Sequence, residues 1–411
     1  MAPFPLDLTG IFGHWPAYLV YVVIGFAFGY VLEISGFGKS TKLAAQFYFK
    51  EMTVLKVMFT GIVVAMLGVF LTTALGLLDY NLIWVNPTYL WPGIVGGLIM
   101  GVGFIIGGFC PGTSLVSAAT GKIDGLFFVG GVFFGIFMFG ETVSSFETFW
   151  YSSFEGRYTL MDLFGLPAGV IVLGVTVMAI GAFGASELAE KHIGGLSLAR
   201  FGQWRYGAAV VSVMIAAVVL TIGQPTNADK WDAIEGEQQA RLDERAVFAS
   251  PAEILSLIDD PKLIVRMIDV RDETEFNLFH VLDAENKPAA NTLDYANELL
   301  AAPANSVFVL MSNDEARAVD AWRVLVAESV PNVYILDGGV NNWLDTFSDE
   351  DFQADYRLAS YTDDRLAYQF DAALGDRYPA ANPNPDVFSY ITFTPIVELQ
   401  VKRGPASGGC G

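Results

Sequence analysis

Six stretches of the chain stay apolar long enough to cross a bilayer, near residues 17–35, 53–77, 91–109, 124–140, 166–184 and 206–223. A spanning helix needs about 20 such residues. Aromatic pairs mark several of the ends, Tyr89/Trp91, Trp150/Tyr151 and Trp204/Tyr206, where amphipathic rings settle at headgroup level. Past residue 223 the pattern changes. QPTNADKWDAIEGEQQARLDERAVFAS, residues 224–250, reads as a turn and a charged stalk helix with little apolar stripe. Strand-like and helix-like runs then alternate: ILSLI and LIVRMIDV, followed by ANELLAA, SVFVLM, AVDAWRVLVAESV and NVYILDGGV. That alternation predicts a compact parallel α/β sheet over residues 251–347. From 348 to 411 the chain is acidic and turn-rich, with ITFTPIVELQV reading as a strand before a terminal KRGPASGGCG. The fold class expected is a polytopic α-helical membrane domain (residues 1–223) followed by a small α/β domain.

Charge sharpens this division. Residues 1–223 carry eleven acidic and nine basic side chains, whereas residues 224–411 carry 33 and 14. The acidic half would repel phosphate, so nucleic acid is excluded as a partner. Two cysteines and three histidines leave no set for a zinc or iron–sulfur site, and neither metal nor other cofactor is expected. MAPFPLDLTG at the start has no basic segment and no cleavage site, so no removable signal peptide is read. Lys39, Lys42 and Lys50 follow the first span, Lys122 the third, and Lys191, Arg200 and Arg205 the fifth, while the other connections are acidic or neutral. The positive-inside rule makes these odd connections cytoplasmic. Six spans then place both termini and the α/β domain in the periplasm of a bacterial inner membrane.

An internal repeat locates the candidate chemistry. GFAFGYVLEISGFGKSTKLAAQFYFK, from Gly25, aligns without a gap on GLIMGVGFIIGGFCPGTSLVSAATGK, from Gly97. Each copy is an apolar span that runs into a G-F-x-x-x-T turn and then a short amphipathic helix. Helices broken at matching places of two repeats are a pointer to a transporter's binding site. In the second copy Cys110, Pro111 and Gly112 interrupt the helix, and a half-helix beginning at Thr113/Ser114 would aim its free amides at an anion. Gly36, Gly38, Lys39, Ser40 and Thr41 form the matching turn of the first copy. Lys39 and Lys42 read either as topology-setting charges or as partners for a dianion, and Glu33 either as a helix-end residue or as a polar contact in the bundle.

GFGKSTKLAAQFYFKEMTVLKVMFTGIVVAML and GFCPGTSLVSAATGKIDGLFFVGGVFFG resemble the YeeE/YedE family of membrane proteins, which implies transport of thiosulfate or a related sulfur species with Cys110 on its path. Better-known members carry several pore cysteines, whereas Gly38 stands here at the position matching Cys110. Residues 251–347 resemble a rhodanese domain. The resemblance rests on IDVRDETEF (Asp269, Arg271, Glu275, Phe276), HVLDAEN (His280, Ala284, Asn286) and VYILDGGVNNW (Gly338, Gly339, Trp343). A rhodanese carries sulfane sulfur on the cysteine that opens a six-residue loop ending in arginine. Here that loop is SNDEAR, closed by Arg317, and the cysteine position is Ser312. A hydroxyl cannot hold a persulfide, and Asp314 and Glu315 would repel thiosulfate, so no catalytic residue and no enzyme activity are expected of this domain. The ending SGGCG resembles the cysteine arm of SoxY-type sulfur carriers, which makes Cys410 a candidate carrier.

Together these readings imply a transporter of a small sulfur-containing anion, thiosulfate first. Its implied partners are the lipid bilayer, periplasmic sulfur-oxidation proteins and further copies of the chain in a homo-oligomer. Two other classes compete: a membrane anchor that presents an acidic platform to a basic protein such as a cytochrome c, and a sulfurtransferase component that acts through Cys410.

Overall fold

The computed structural model describes residues 2–6, 8–195, 202–358, 364–370 and 375–399. The described residues form two compact units, one over 2–224 and one over 225–399.

The first unit is helical. In chain order it contains α1 (Leu8–Phe12), α2 (His14–Ile34), α3 (Ser40–Ala45), α4 (Thr53–Ala74), α5 (Leu90–Gly107), α6 (Pro111–Ala119), α7 (Ile123–Thr142), α8 (Glu147–Trp150), α9 (Leu160–Phe164), α10 (Ala168–His192) and α11 (Trp204–Ile222). A short antiparallel pair, β1 (Thr88–Tyr89) and β2 (Phe154–Gly156), joins two of the connections. Among the described residues six stretches are long and apolar enough to cross a membrane: α2, α4, α5 with α6, α7 with α8, α10 and α11. Their outer faces are apolar, and Phe26, Ile106, Phe127 and Trp204 are each more than three-quarters exposed. In lipid such faces carry no penalty, while the helices satisfy their own backbone groups. Two interior clusters hold the unit. One joins α4, α10 and α11 through Val63, Leu67, Val172, Ala179, Ala216 and Val219. The other joins the two repeats through Phe37, Leu43, Val54 and Phe109.

The second unit is a five-stranded parallel sheet in the order β3-β7-β6-β4-β5, with β3 (Phe248–Ala249), β4 (Ile264–Asp269), β5 (Glu285–Asn286), β6 (Ser306–Met311) and β7 (Val333–Leu336). Central β6 is buried throughout. Its side chains alternate, as a pleat requires: Val307, Val309 and Met311 enter one core, Phe308 and Leu310 the other. The helices are α12 (Asn227–Asp243), α13 (Pro251–Ile258), α14 (Glu273–Leu278), α15 (Thr292–Ala301), α16 (Ala316–Ala327), α17 (Gly339–Phe347) and α18 (Glu350–Tyr356). The charged segment read as a stalk forms α12, which lies on α16. Trp231 meets Trp322 edge-on at 6.4 Å, and Asn227 Nδ2 donates to the Val324 carbonyl at 3.0 Å.

ILSLI, which the alternation leaves without a fixed type, is the body of α13. Ser250 caps this helix by accepting from the Glu253 amide at 3.3 Å, and Pro251 takes the first helical position, where a missing N–H costs nothing. The neighbouring strand is the shorter β3, just before the cap. ITFTPIVELQV, read as a strand, is not one: over its described residues it joins no sheet. Pro395 offers no amide; those of Ile396 and Val397 donate to the Glu253 carboxylate at 2.8 Å each, and Glu398's donates to the Tyr334 hydroxyl at 2.9 Å. Side chains, not a neighbouring strand, hold this segment. The acidic extension is also part of the core. Phe352, Tyr368, Tyr378 and Ala380 are buried on one sheet face, and Trp343 Nε1 donates to the Ala380 carbonyl at 2.7 Å.

Candidate functional site

The two repeats turn in the same way. Each span ends at a glycine in the left-handed region, Gly36 (φ 81°) and Gly108 (φ 70°), the usual helix stop. The phenylalanine that follows, Phe37 or Phe109, is buried in a shared cluster, so each G-F pair pins its turn to the other repeat. A Cβ on Gly108 would stand 3.2 Å from both the Cβ and the carbonyl oxygen of Ser40. The two turns therefore touch at Gly108 and Ser40.

Gly38 explains the cysteine missing from the first repeat. A side chain there would begin 2.4 Å from Glu33 Oε2 and 2.7 Å from Lys122 Nζ. These two groups form an ion pair at 3.1 Å between the end of the first span and the end of the second repeat. Glu33 is thus a polar contact within the bundle. Lys42 reaches back over Gly36, donating to the Ser35 carbonyl at 2.9 Å. Lys39 and Thr41 are exposed.

Cys110 is the N-cap of α6. Its backbone amide donates to Thr113 Oγ1 at 2.9 Å, while its Sγ accepts from the Thr113 amide at 3.4 Å and hydroxyl at 3.3 Å. This is a capping box with sulfur in the role of the cap oxygen. The half-helix starts at Pro111, two residues before the expected Thr113, because a proline is well placed at a first helical position. Two of its first-turn amides are engaged within the turn: Thr113's goes to the thiol and Ser114's to the Cys110 carbonyl at 3.0 Å. Gly112 lies inside α6, and the left-handed glycine of this turn is Gly108. Ser114 Oγ donates to the Pro111 carbonyl at 2.7 Å and is fully buried. Ser117, one turn on, was missed in the sequence. It is buried with its hydroxyl unpartnered, and a Cβ on Gly125 would lie 2.6 Å from it. The recurrence of hydroxyls at 113, 114 and 117 on an apolar helix was the available signal.

The loop before α16 is built differently. Ser312 is fully buried, and its Oγ accepts from the Ala318 amide at 3.2 Å. Gly339, in the left-handed region at φ 62°, lets the loop settle; a Cβ there would meet the Asp314 carbonyl at 1.8 Å. The charges expected to repel an anion are turned to other partners. Glu315 pairs with Arg245 at 2.6 Å and accepts from the Gly338 amide at 2.6 Å, and Asp314 accepts from the amides of Ala316 at 2.8 Å and Asp364 at 2.9 Å. Asp364 in turn sends its carboxylate into the loop, accepting from the amides of Asn313 (3.1 Å) and Asp314 (3.3 Å) and from Arg317 Nε. Arg317 also reaches Glu275 at 2.6 Å. Burial pushes the Asp364 carboxyl above its usual range in spite of Arg317. Burial also opposes charge on Glu275, but hydrogen bonds from Arg317 and Asn313 outweigh it and hold that carboxyl low. Beneath, fully buried Arg271 is held by Asp269 at 2.6 Å, the Asn313 side chain at 2.9 Å and the Phe279 carbonyl at 2.7 Å. Among the described residues no group of histidines, cysteines or carboxylates is arranged to hold a metal. Cys410 lies outside the described residues.

A broken-helix membrane unit and a small parallel α/β unit with a loop-before-helix site define the class, a multi-pass membrane protein with a fused α/β domain. Comparison with known families gives the particulars. Residues 34–233 match the family described as Sulphur transport, and residues 250–346 match the Rhodanese-like domain. The chain thus carries a region similar to the sulphur-transport family, followed by a region similar to a rhodanese-like domain. No curated protein matches the chain, and no solved structure matches it.

Proposed function

We propose that the membrane unit moves a reduced sulfur anion, thiosulfate first, across a bacterial inner membrane along a path that passes the Cys110 turn. The observation that carries this reading is the meeting of the two repeat turns at Gly108 and Ser40. It sets the thiol at the break between α5 and the short α6, where unwound backbone at membrane depth is tolerated because it is enclosed by protein or lines a cavity. Pro111, Gly112, Thr113 and Ser114 shape one wall, and Gly36, Gly38, Lys39, Ser40 and Thr41 shape the other. The domains are assigned as 1–223 transport unit, 224–250 link, 251–347 rhodanese-like domain and 348–411 extension, with both termini periplasmic by the lysine pattern. The rhodanese-like domain is inactive as a sulfurtransferase, because Ser312 holds a helix amide and a hydroxyl cannot carry sulfane sulfur. Cys410, on its glycine arm, receives or hands over sulfur when a periplasmic partner docks.

Uptake of labelled thiosulfate into proteoliposomes tests the reading. Saturable flux supports it. Absence of flux from correctly inserted protein would leave the acidic half as a docking platform and the helices as its anchor.

A further inference from the structure

The rhodanese-like loop presents what an oxyanion needs, two backbone amides at the start of a twelve-residue helix and a guanidinium beside them. In this chain that place is filled. Asp364 belongs to the extension, 47 residues along the chain from Arg317, and it enters the loop as a ligand would. One carboxylate oxygen accepts from the Asn313 and Asp314 amides, and the other from Arg317 Nε. The clasp is reciprocal. The Asp364 amide donates to Asp314 Oδ2 at 2.9 Å, and the Asp364 carbonyl accepts from Asn313 Nδ2 at 2.9 Å. The backbone of Asp364 is left-handed, φ 49°, a conformation that aspartate tolerates better than most side chains. Neighbouring contacts hold the segment in place. Asn341 Nδ2 donates to the Arg365 carbonyl at 2.9 Å, Asn341 Oδ1 accepts from the Ala367 amide at 2.7 Å, and Ala367 and Tyr368 are buried in the core.

We propose that Asp364 is an internal occupant of the loop's anion cradle, so that the 364–370 segment is an autoinhibitory plug and the cradle accepts an oxyanion only when this segment is withdrawn. The plug makes the loop a latch for the extension: whatever draws the extension away exposes the amides and Arg317, and an oxyanion seated there would hold the extension off. This is independent of the transport reading, since every group involved lies in the second unit.

The test uses the full-length protein in detergent. Wild type, Asp364→Ala and Asp364→Asn are compared by amide hydrogen exchange and by titration with thiosulfate. Thiosulfate bound by the membrane unit is common to all and subtracts out. Charge-assisted hydrogen bonds contribute roughly 1.5–3 kcal/mol. Exchange at Asn313 and Asp314 should therefore rise at least about tenfold in Asp364→Ala while β4 and β6 stay protected. The same variant should gain a saturable thiosulfate site that a second change, Arg317→Gln, removes. Unchanged exchange overturns the proposal, as does the absence of a gained site or a gained site that survives Arg317→Gln. If Asp364→Ala loses protection across β6, the decision passes to Asp364→Asn, which keeps shape and one acceptor oxygen. Faster exchange with the same Arg317-dependent site again supports the plug, while a second loss of fold shows the carboxylate to be structural and overturns it.

Discussion

Two helix starts in this molecule use the same device for opposite ends. At α6 the Cys110 thiol accepts from the amide three residues on, and at α16 the Ser312 hydroxyl accepts from the amide six residues on. Both side chains accept from an amide in the first turn of a helix, and both sit where sulfur chemistry would be looked for first. They differ in what lies beside them. The first turn of α6 has no acidic residue, and its polar side chains are hydroxyls at 113, 114 and 117. The start of α16 is enclosed by Asp314, Glu315, Glu275 and Asp364, with Arg317, Arg245 and Arg271 closing the network. A polar side chain at a helix start becomes a site only if nothing within the chain already satisfies it. At α6 the thiol and the hydroxyls of Thr113 and Ser114 are partnered within the turn and only the Ser117 hydroxyl is left without a partner, whereas the α16 loop is closed by charged groups.

The largest effect should fall on the α6 side. Cys110→Ala removes the thiol and the cap together, and uptake of labelled thiosulfate by proteoliposomes should drop at least about tenfold. The lost cap itself costs only about 1 kcal/mol, so protein yield and helix content should hold. Cys110→Ser restores a cap but not a thiol, and it should recover stability without recovering uptake. Wild-type flux through Cys110→Ala would erase the difference between the two helix starts.

The α16 loop is sensitive in a different way. Gly339→Ala places a Cβ 1.8 Å from the Asp314 carbonyl and in a backbone region that favours glycine. The loop must lift off α17, at a cost on the order of 1–3 kcal/mol. A lower melting temperature for the second unit, with uptake unchanged, is the expected result. A melting temperature equal to wild type would mean that the loop does not need its close approach to Gly339.

Much of this was legible in the sequence, for physical reasons that can be named. Spans are legible because a bilayer imposes length and apolarity on every residue in turn, and the six expected stretches reappear as helices whose starts lie within three residues of expectation and whose ends run up to ten residues further. The sheet is legible where apolar runs are central, as in SVFVLM. ILSLI alone does not settle its type, because a short apolar run fits a strand or a helix face equally, and the deciding residues are the Ser250-Pro251 start just outside it. The reading of the 391–399 segment as a strand failed because partners for its amides, Glu253 and Tyr334, are more than sixty residues away in sequence. Asp364 was out of reach for the same reason. Nothing in SDEDFQADYRLASYTDDRL singles out the one acidic residue that enters the loop. At the α6 turn the thiol was legible from its place in the repeat, whereas the Glu33–Lys122 pair that excludes a second thiol was not.

Acid should separate the units further. Arg266 holds Glu285 through paired bonds of 2.6 Å, which, against burial, keep that carboxyl below its ordinary 4.5. Burial opposes charge on Glu298 and Glu275, but Lys287 and Arg266 for the first, and Arg317 and Asn313 for the second, still hold them low. A carboxylate with a depressed folded value contributes stability above its unfolded value, and that contribution is lost as pH falls through the depressed one. Asp364, whose carboxyl is raised from 3.8, acts the other way: its contribution is fully present below 3.8 and fades as pH rises through the raised value. Three groups outweigh one. The melting temperature of the second unit should fall by roughly 5 °C or more between about pH 6 and about pH 3, with the loss beginning below 4.5. A unit that gained stability over that range would mean that Asp364 dominates.

The smallest effect concerns the position that matches Cys110 in the first repeat. Gly38→Cys would give both turns a thiol, but its Cβ meets Glu33 Oε2 at 2.4 Å and Lys122 Nζ at 2.7 Å. Both are far ends of long side chains, so they can swing aside, and the pair they would break is about one-third exposed on each partner. Pairs of that kind contribute about 0–1 kcal/mol. Gly38→Cys alone should therefore lower the melting temperature only slightly, and Glu33→Ala alone by a similar amount. Together they should cost less than the two single losses combined, because once Glu33 is gone the new side chain has room and no ion pair is left to break. A coupling near the lower end of the usual 0.5–3 kcal/mol, roughly 0.5 kcal/mol and favourable, is expected from the cycle. Strict additivity would show that the pair does not fill the Gly38 side of the turn, and the absence of a second thiol would then have no steric cause.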